Sequence, residues 1–191
     1  MNKKIIDRLL GFGNSHIIEL PANIQRSKGV TKFQVFLSIK PILTGKLYWY
    51  ALKQAYTQSD NLYYYSYDIK QAFSSQEPHR ETMMNQCEQK YLQGLPNEIT
   101  IYRAMTVNEF ESGVFGVSWT LKKNIADFFS STYVRNIDTY GIKKTIVEKT
   151  ISKDQIIAFF NDRDEFEIIH ITGDFKTFTE GLRSNNTKPL T

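Results

Sequence analysis

The chain has 191 residues, of which 41% are hydrophobic, 14% aromatic and 23% charged, the balance of a folded globular protein and not of a disordered or fibrous one. Its net charge of +4 is too small an excess to point to nucleic acid by itself. One cysteine, Cys87, excludes an intramolecular disulfide, and His16, His79 and His170 show no CxxC or HExxH spacing, so the chain reads as cytoplasmic and metal-free.

The opening MNKKIIDRLLGFG begins like an export signal at Lys3 and Lys4, but Asp7 and Arg8 break the apolar stretch that such a signal needs. The longest apolar run, Ile156 to Phe160, falls far short of the ~20 residues of a transmembrane helix, and no membrane partner is expected. With no repeat or low-complexity linker, residues 1–191 read as one domain: a mainly helical part over 1–95, a β-rich core over 96–180 and a polar, frayed tail over 183–191.

Thr44 to Gln58 sets Leu47, Tyr50, Ala51 and Ala55 at helical spacing, and Glu77 to Leu92 does the same with Met83, Met84, Cys87 and Tyr91, predicting two helices and a buried Cys87. Gly94 and Pro96 end the second. Seven of the 11 tyrosines fall at 48, 50, 56, 63, 64, 65 and 67; this density suits a helical packing layer better than a surface for stacking bases.

After Pro96 the texture changes to strands. Glu98 to Met105 alternates, placing Arg103 on one face with Ile99, Ile101 and Met105. Gly113 and Gly116 mark a turn into VSWTL. Lys123 to Tyr133 reads as a helix with Ile125, Phe128 and Phe129 inward. Lys143 to Thr150 and Ile168 to Thr172 read as strands, and between them Ser152 caps a short helical turn at 154–157 before AFFND, read as a loop.

Glu165 and Glu167 stand two apart, so on a strand both carboxylates share a face, with Phe166 and Ile168 on the other. Such a pair lets one acid stabilise developing positive charge while the other orients or deprotonates a nucleophile. A solvated strand face has the same pattern, and Arg103 alone reads equally well as a structural ion pair. No GxGxxG follows a strand, and neither GxxxxGK[ST] nor GxSxG occurs, which argues against Rossmann, P-loop and serine hydrolase chemistry.

Taken in order, Arg103 within IYRAM, Ser118-Trp119-Thr120 within GVSWT ahead of KNIADFF, and Glu165-Phe166-Glu167 within IIAFFNDRDEFEII resemble the ADP-ribosyltransferases of the Arg, Ser, Glu class. That class includes cholera-like and clostridial toxins and bacterial and phage effectors. The motifs span about residues 97 to 171; the helical part agrees only in character. The resemblance implies an α+β fold with an N-terminal helical part and a split, mostly antiparallel sheet whose cleft takes NAD as a co-substrate.

It further implies that Arg103 holds the pyrophosphate or the nicotinamide-side ribose, and that Ser118 lines the nicotinamide pocket and supports Glu167. Thr120 would brace its strand, Glu167 would bind the ribose 2′-hydroxyl and stabilise the oxocarbenium ion, and Glu165 would engage the acceptor. Glu-x-Glu in this class accompanies transfer to arginine, whose cationic guanidinium needs a carboxylate to bind it and take its proton. Phe129, Tyr133 and Tyr140 are candidates to stack on nicotinamide, and Tyr133 is taken as cofactor-binding together with Arg103, Ser118 and Thr120. Phe160 and Arg163 are candidate acceptor contacts.

Trp119 is bulkier than the residue several relatives carry there; with Ser118 and Thr120 facing the cleft it must pack on the other side. The expected activity is mono-ADP-ribosyl transfer to a target protein, as an effector or toxin with a possible antidote or immunity protein. The alternatives are an RNA ADP-ribosyltransferase, an NAD glycohydrolase, and a catalytically silent binding module of the same fold.

Overall fold

The structure is a computed structural model that describes residues 2–11, 31–59, 62–131 and 144–172. It is an α+β protein with N-terminal helices followed by a five-stranded antiparallel sheet. The chain divides into two compact units, Met1–Tyr91 and Leu92–Thr191. Among the described residues no helix is long and apolar enough to cross a membrane. Tyr133, Tyr140 and the 183–191 tail lie outside the described residues.

In the first unit α1 (Lys3–Gly11) buries Ile6 and Leu10, one helical turn apart. Helix α2 (Lys32–Ile39) starts at a capping box in which Thr31 Oγ1 accepts from the Gln34 N–H and the Gln34 side chain accepts from the Thr31 N–H. Helix α3 (Gly45–Thr57) follows. Its core face is wider than the predicted stripe: Ala51 and Ala55 are buried as expected, but Tyr48, Trp49, Leu52 and Tyr56 join them, while Leu47 and Tyr50 stay part-exposed. The aromatic rings can be buried because their polar tips find partners. Tyr48 donates its hydroxyl to the Ala72 carbonyl at 2.9 Å, and Trp49 Nε1 donates to the Glu77 and Pro78 carbonyls. Tyr48 and Tyr56 thus belong to the core, whereas Tyr64 is exposed.

Helix α4 (Ser66–Phe73) comes next. The single helix predicted over Glu77 to Leu92 is instead a 3-10 turn at Arg80–Met83 and then α5 (Gln86–Gly94), separated by Met84 in an extended conformation. A local side-chain bond makes the break: Asn85 Oδ1 accepts the Glu88 N–H, while the Glu88 carboxylate accepts the Asn85 N–H. Glu88, 3% exposed, is also ion-paired with Lys53 at 2.9 Å. Cys87 is exposed, contrary to expectation, because the restart at Asn85 turns Glu88 and not its neighbour inward.

The second unit is the sheet, with strands β1 (Glu98–Thr106), β2 (Ser118–Thr120), β3 (Lys144–Ser152), β4 (Ala158–Phe160) and β5 (Glu167–Ile169) in the order β3-β1-β2-β5-β4. β1 and β3 pair from Glu98↔Ser152 to Thr106↔Lys144, but β1 and β2 share only Tyr102↔Thr120. Helix α6 (Val107–Ser112) links β1 to β2, and α7 (Lys123–Ser131) packs on β1 and β3 with Ala126 buried. Phe128, expected inward, is 45% exposed. AFF at 158–160 was expected as a loop and is β4, a strand buried along its whole length; without a solvent face it shows no period of two. Ser152 does precede the expected turn, a 3-10 turn at Lys153–Gln155, and its N–H is held by the Gln155 side chain.

Candidate active site

Arg103 lies on β1 beside the buried Ile101 and Met105, as its alternation predicts, and is itself half-buried. A charge in that position needs partners. Nε donates to Glu109 Oε1 at 2.9 Å, Nη2 lies 2.8 Å from the same oxygen, and Nη1 donates to the Ser118 carbonyl at 2.7 Å. The guanidinium therefore ties β1, α6 and β2 together across the single-pair junction.

Glu109 was missed by sequence reasoning. Its signal is Thr106-x-x-Glu109: the Thr106 hydroxyl caps α6 by accepting the Glu109 N–H at 3.1 Å, and Thr/Ser three residues before an acid is the mark of a helix start. Here the carboxylate does not return to its cap but takes Arg103 and the Gly116 N–H, the latter at 2.8 Å. Gly116 leaves room for the end of the Arg103 side chain. A Cβ there would stand 2.3 Å from Arg103 Nη2 and 2.8 Å from Cζ. Gly116→Ala is expected to displace the guanidinium and cost about 1–3 kcal/mol through its weakened bonds to Glu109 and the Ser118 carbonyl. Chemical denaturation beside Gly94→Ala, whose Cβ meets nothing within 4 Å, checks this, and equal midpoints for the two variants would refute it.

Ser118 donates its hydroxyl to Glu167 Oε1 at 2.6 Å, linking β2 to β5 in a site where Glu167 is 5% exposed. The short distance is that of a charge-assisted bond. Thr120 is buried, and its hydroxyl is committed to backbone: it donates to the Glu165 carbonyl at 2.8 Å and accepts the Lys122 N–H at 3.1 Å. It braces the chain that carries the acids.

Glu165 and Glu167 do come together, but not by strand alternation. β5 begins only at Glu167, and Asp164 and Phe166 have positive φ, 55° and 48°, a conformation that costs a non-glycine residue about 1–2 kcal/mol. Asn161 holds this turn by accepting the Phe166 N–H on its side chain and the Asp164 N–H on its carbonyl, while Leu121 N–H binds the Phe166 carbonyl. What unites the acids is Arg163: its Nη2 is 2.7 Å from Glu165 Oε2 and 3.6 Å from Glu167 Oε2. Phe160, a candidate acceptor contact, is buried in β4 at 2% exposure, so it packs in the core and offers an acceptor no surface. Phe129 lies on α7 edge-on to Phe128.

Trp119 points away from this cluster, as expected, and is buried edge-on to Phe115 and His170 with both centroids at 6.2 Å. His170 Nδ1 sits 3.1 Å from the Gln155 carbonyl and so carries the proton, leaving His170 Nε2, like Trp119 Nε1, buried without a hydrogen-bond partner among the described residues. Burial lowers the His170 pKa below its usual 6.5 and Lys149 pushes the same way, against the Gln155 bond. Above that value the ring is neutral in folded and unfolded chain alike. As pH falls below it, the unfolded chain binds a proton that the folded chain does not, and stability is lost. The wild-type melting temperature is expected to drop more steeply than that of His170→Gln between about pH 7 and 5; parallel curves would refute this.

No protein-family model matches the chain, and no curated protein or solved structure matches it either.

Proposed function

We propose that the chain is a mono-ADP-ribosyltransferase that takes NAD as a substrate, breaks its nicotinamide–ribose bond and passes ADP-ribose to arginine on a target protein. The observation that carries this reading is the 2.6 Å bond from Ser118 to the buried Glu167, with Arg103 gripping the carbonyl of the same serine. The three residue types of the motif meet at one junction of the sheet. That junction also supports the split-sheet form of the fold, since β3–β1 and β2–β5–β4 are joined by one register pair alone.

The residues fit the substrate. Glu167 has Oε1 engaged by Ser118, which fixes its orientation, and its Oε2, 3.6 Å from Arg163 Nη2, is the oxygen that would meet a sugar hydroxyl and the positive charge that grows as nicotinamide leaves. Arg103 retains N–H donors beyond those spent on Glu109 and Ser118, and these suit a phosphate oxygen. Glu165 already holds a guanidinium, that of Arg163. This supports arginine over a nucleobase as acceptor, because the same carboxylate would bind the incoming side chain and take its proton.

The test is incubation of the purified chain with labelled NAD, alone and with a cell lysate. Nicotinamide release with label on protease-sensitive material is the expected result. Label sensitive to nuclease would move the acceptor to RNA, release without label would leave a glycohydrolase, and no release would leave a binding module.

A further inference from the structure

We infer that Arg163 is itself a modification site: the chain transfers one ADP-ribosyl group to its own Arg163. The inference rests on the transferase reading and adds the first acceptor, one within the molecule. An acceptor nitrogen for this pair of acids must satisfy two demands. It must hydrogen-bond the carboxylate that removes its proton, and it must lie beside the carboxylate that holds the reacting sugar. Arg163 Nη2 meets both, at 2.7 Å from Glu165 Oε2 and 3.6 Å from Glu167 Oε2.

The placement is built into the fold. Asn161 clamps the turn at Asp164 and Phe166, Thr120 pins the Glu165 carbonyl, and β5 starts directly after. These contacts fix the backbone around Arg163, and two ion pairs set its guanidinium against the acids; such orientation accounts for much of the advantage of an intramolecular reaction. With its side chain 35% exposed, Arg163 also remains accessible to a dinucleotide.

The step balances as follows. The Nη2 lone pair forms a bond to C1′ of the nicotinamide-side ribose, the C1′–nitrogen bond breaks, and its electron pair leaves on nicotinamide, which becomes neutral. The Nη2 proton passes to Glu165 and from there to water.

The experiment uses the full chain with NAD and no other protein, reading nicotinamide release, intact mass and a tryptic map from one sample. Expected are one added ADP-ribosyl group, its assignment to Arg163, and missed cleavage after that residue. The labelled fraction at a given time should not change with protein concentration. Arg163→Lys, which keeps the charge against Glu165 but not the guanidinium, is expected to lose the label; the wild-type map stands alone if that variant does not fold. Release with no label on the chain, label at another residue, or labelling that accelerates with protein concentration would each overturn self-modification and leave the transferase reading standing. Absence of release would overturn self-modification, and absence of release with a cell lysate as well would overturn both.

Discussion

Glu167→Gln is expected to lower nicotinamide release roughly 10²–10³-fold, the usual effect of removing one preorganised group that stabilises transition-state charge. The substitution is nearly isosteric. Its amide oxygen can still accept the Ser118 hydroxyl, which stands 2.6 Å from Glu167 Oε1 in the wild type, so the link between β2 and β5 survives. What disappears is the negative charge in a site only 5% exposed, where solvent screens little and a charge acts strongly on a cation forming beside it. The loss should appear in kcat more than in KM, because the charge matters most when the sugar becomes cationic. Melting of the variant near the wild-type temperature controls for misfolding. Release within about tenfold of wild type would remove Glu167 from the reaction.

For stability the largest expected effect in the sheet unit is at Trp119. Trp119→Ala should cost about 3–5 kcal/mol, the range for deleting a buried large aromatic. Its indole is 2% exposed and packs against Phe115 and His170, so little relaxation can refill the space. Trp119→Phe should be far milder. It keeps most of the apolar area and deletes Nε1, a buried N–H with no partner among the described residues, which itself costs about 1–3 kcal/mol. Because β2 has three residues, loosening Trp119 from behind should also shift Ser118 and weaken its hold on Glu167. Urea titrations of the three proteins measure this, and an alanine variant within about 1 kcal/mol of wild type would show that the indole does not anchor the strand.

The two substitutions probe opposite faces of the β2–β5 pair, and the faces of β2 were legible beforehand. VSWTL after two glycines predicts a strand, and alternation sends Ser118 and Thr120 one way and Trp119 the other. Arg103 among Ile101 and Met105 was legible for the same reason, and periodicity and capping likewise marked the helix that follows Thr44 and the turn after Ser152. These features depend on residues within a few positions of one another, where periodicity and capping chemistry operate.

Other features depend on distance along the chain or on backbone that residue type does not announce. AFF at 158–160 carries no alternation because both of its faces are buried, so composition alone could not separate strand from loop. Glu77 to Leu92 kept a helical spacing across a break made by Asn85 and Glu88 bonding to each other. The Thr106-x-x-Glu109 signal of a helix start does not by itself announce Glu109 as the partner of Arg103.

The sequence by itself determined the order of the architecture, helices and then strands, and the faces on which Arg103, Ser118 and Trp119 stand, because local periodicity sets which side chains share a surface. Only the tertiary structure decided how the two acids meet. Phe166, a residue that rarely takes positive φ, is held there by Asn161 and Leu121, and Ser118 reaches Glu167 across 49 positions of chain. Such contacts arise from strand order and loop closure, which leave no repeating mark in the residues that make them.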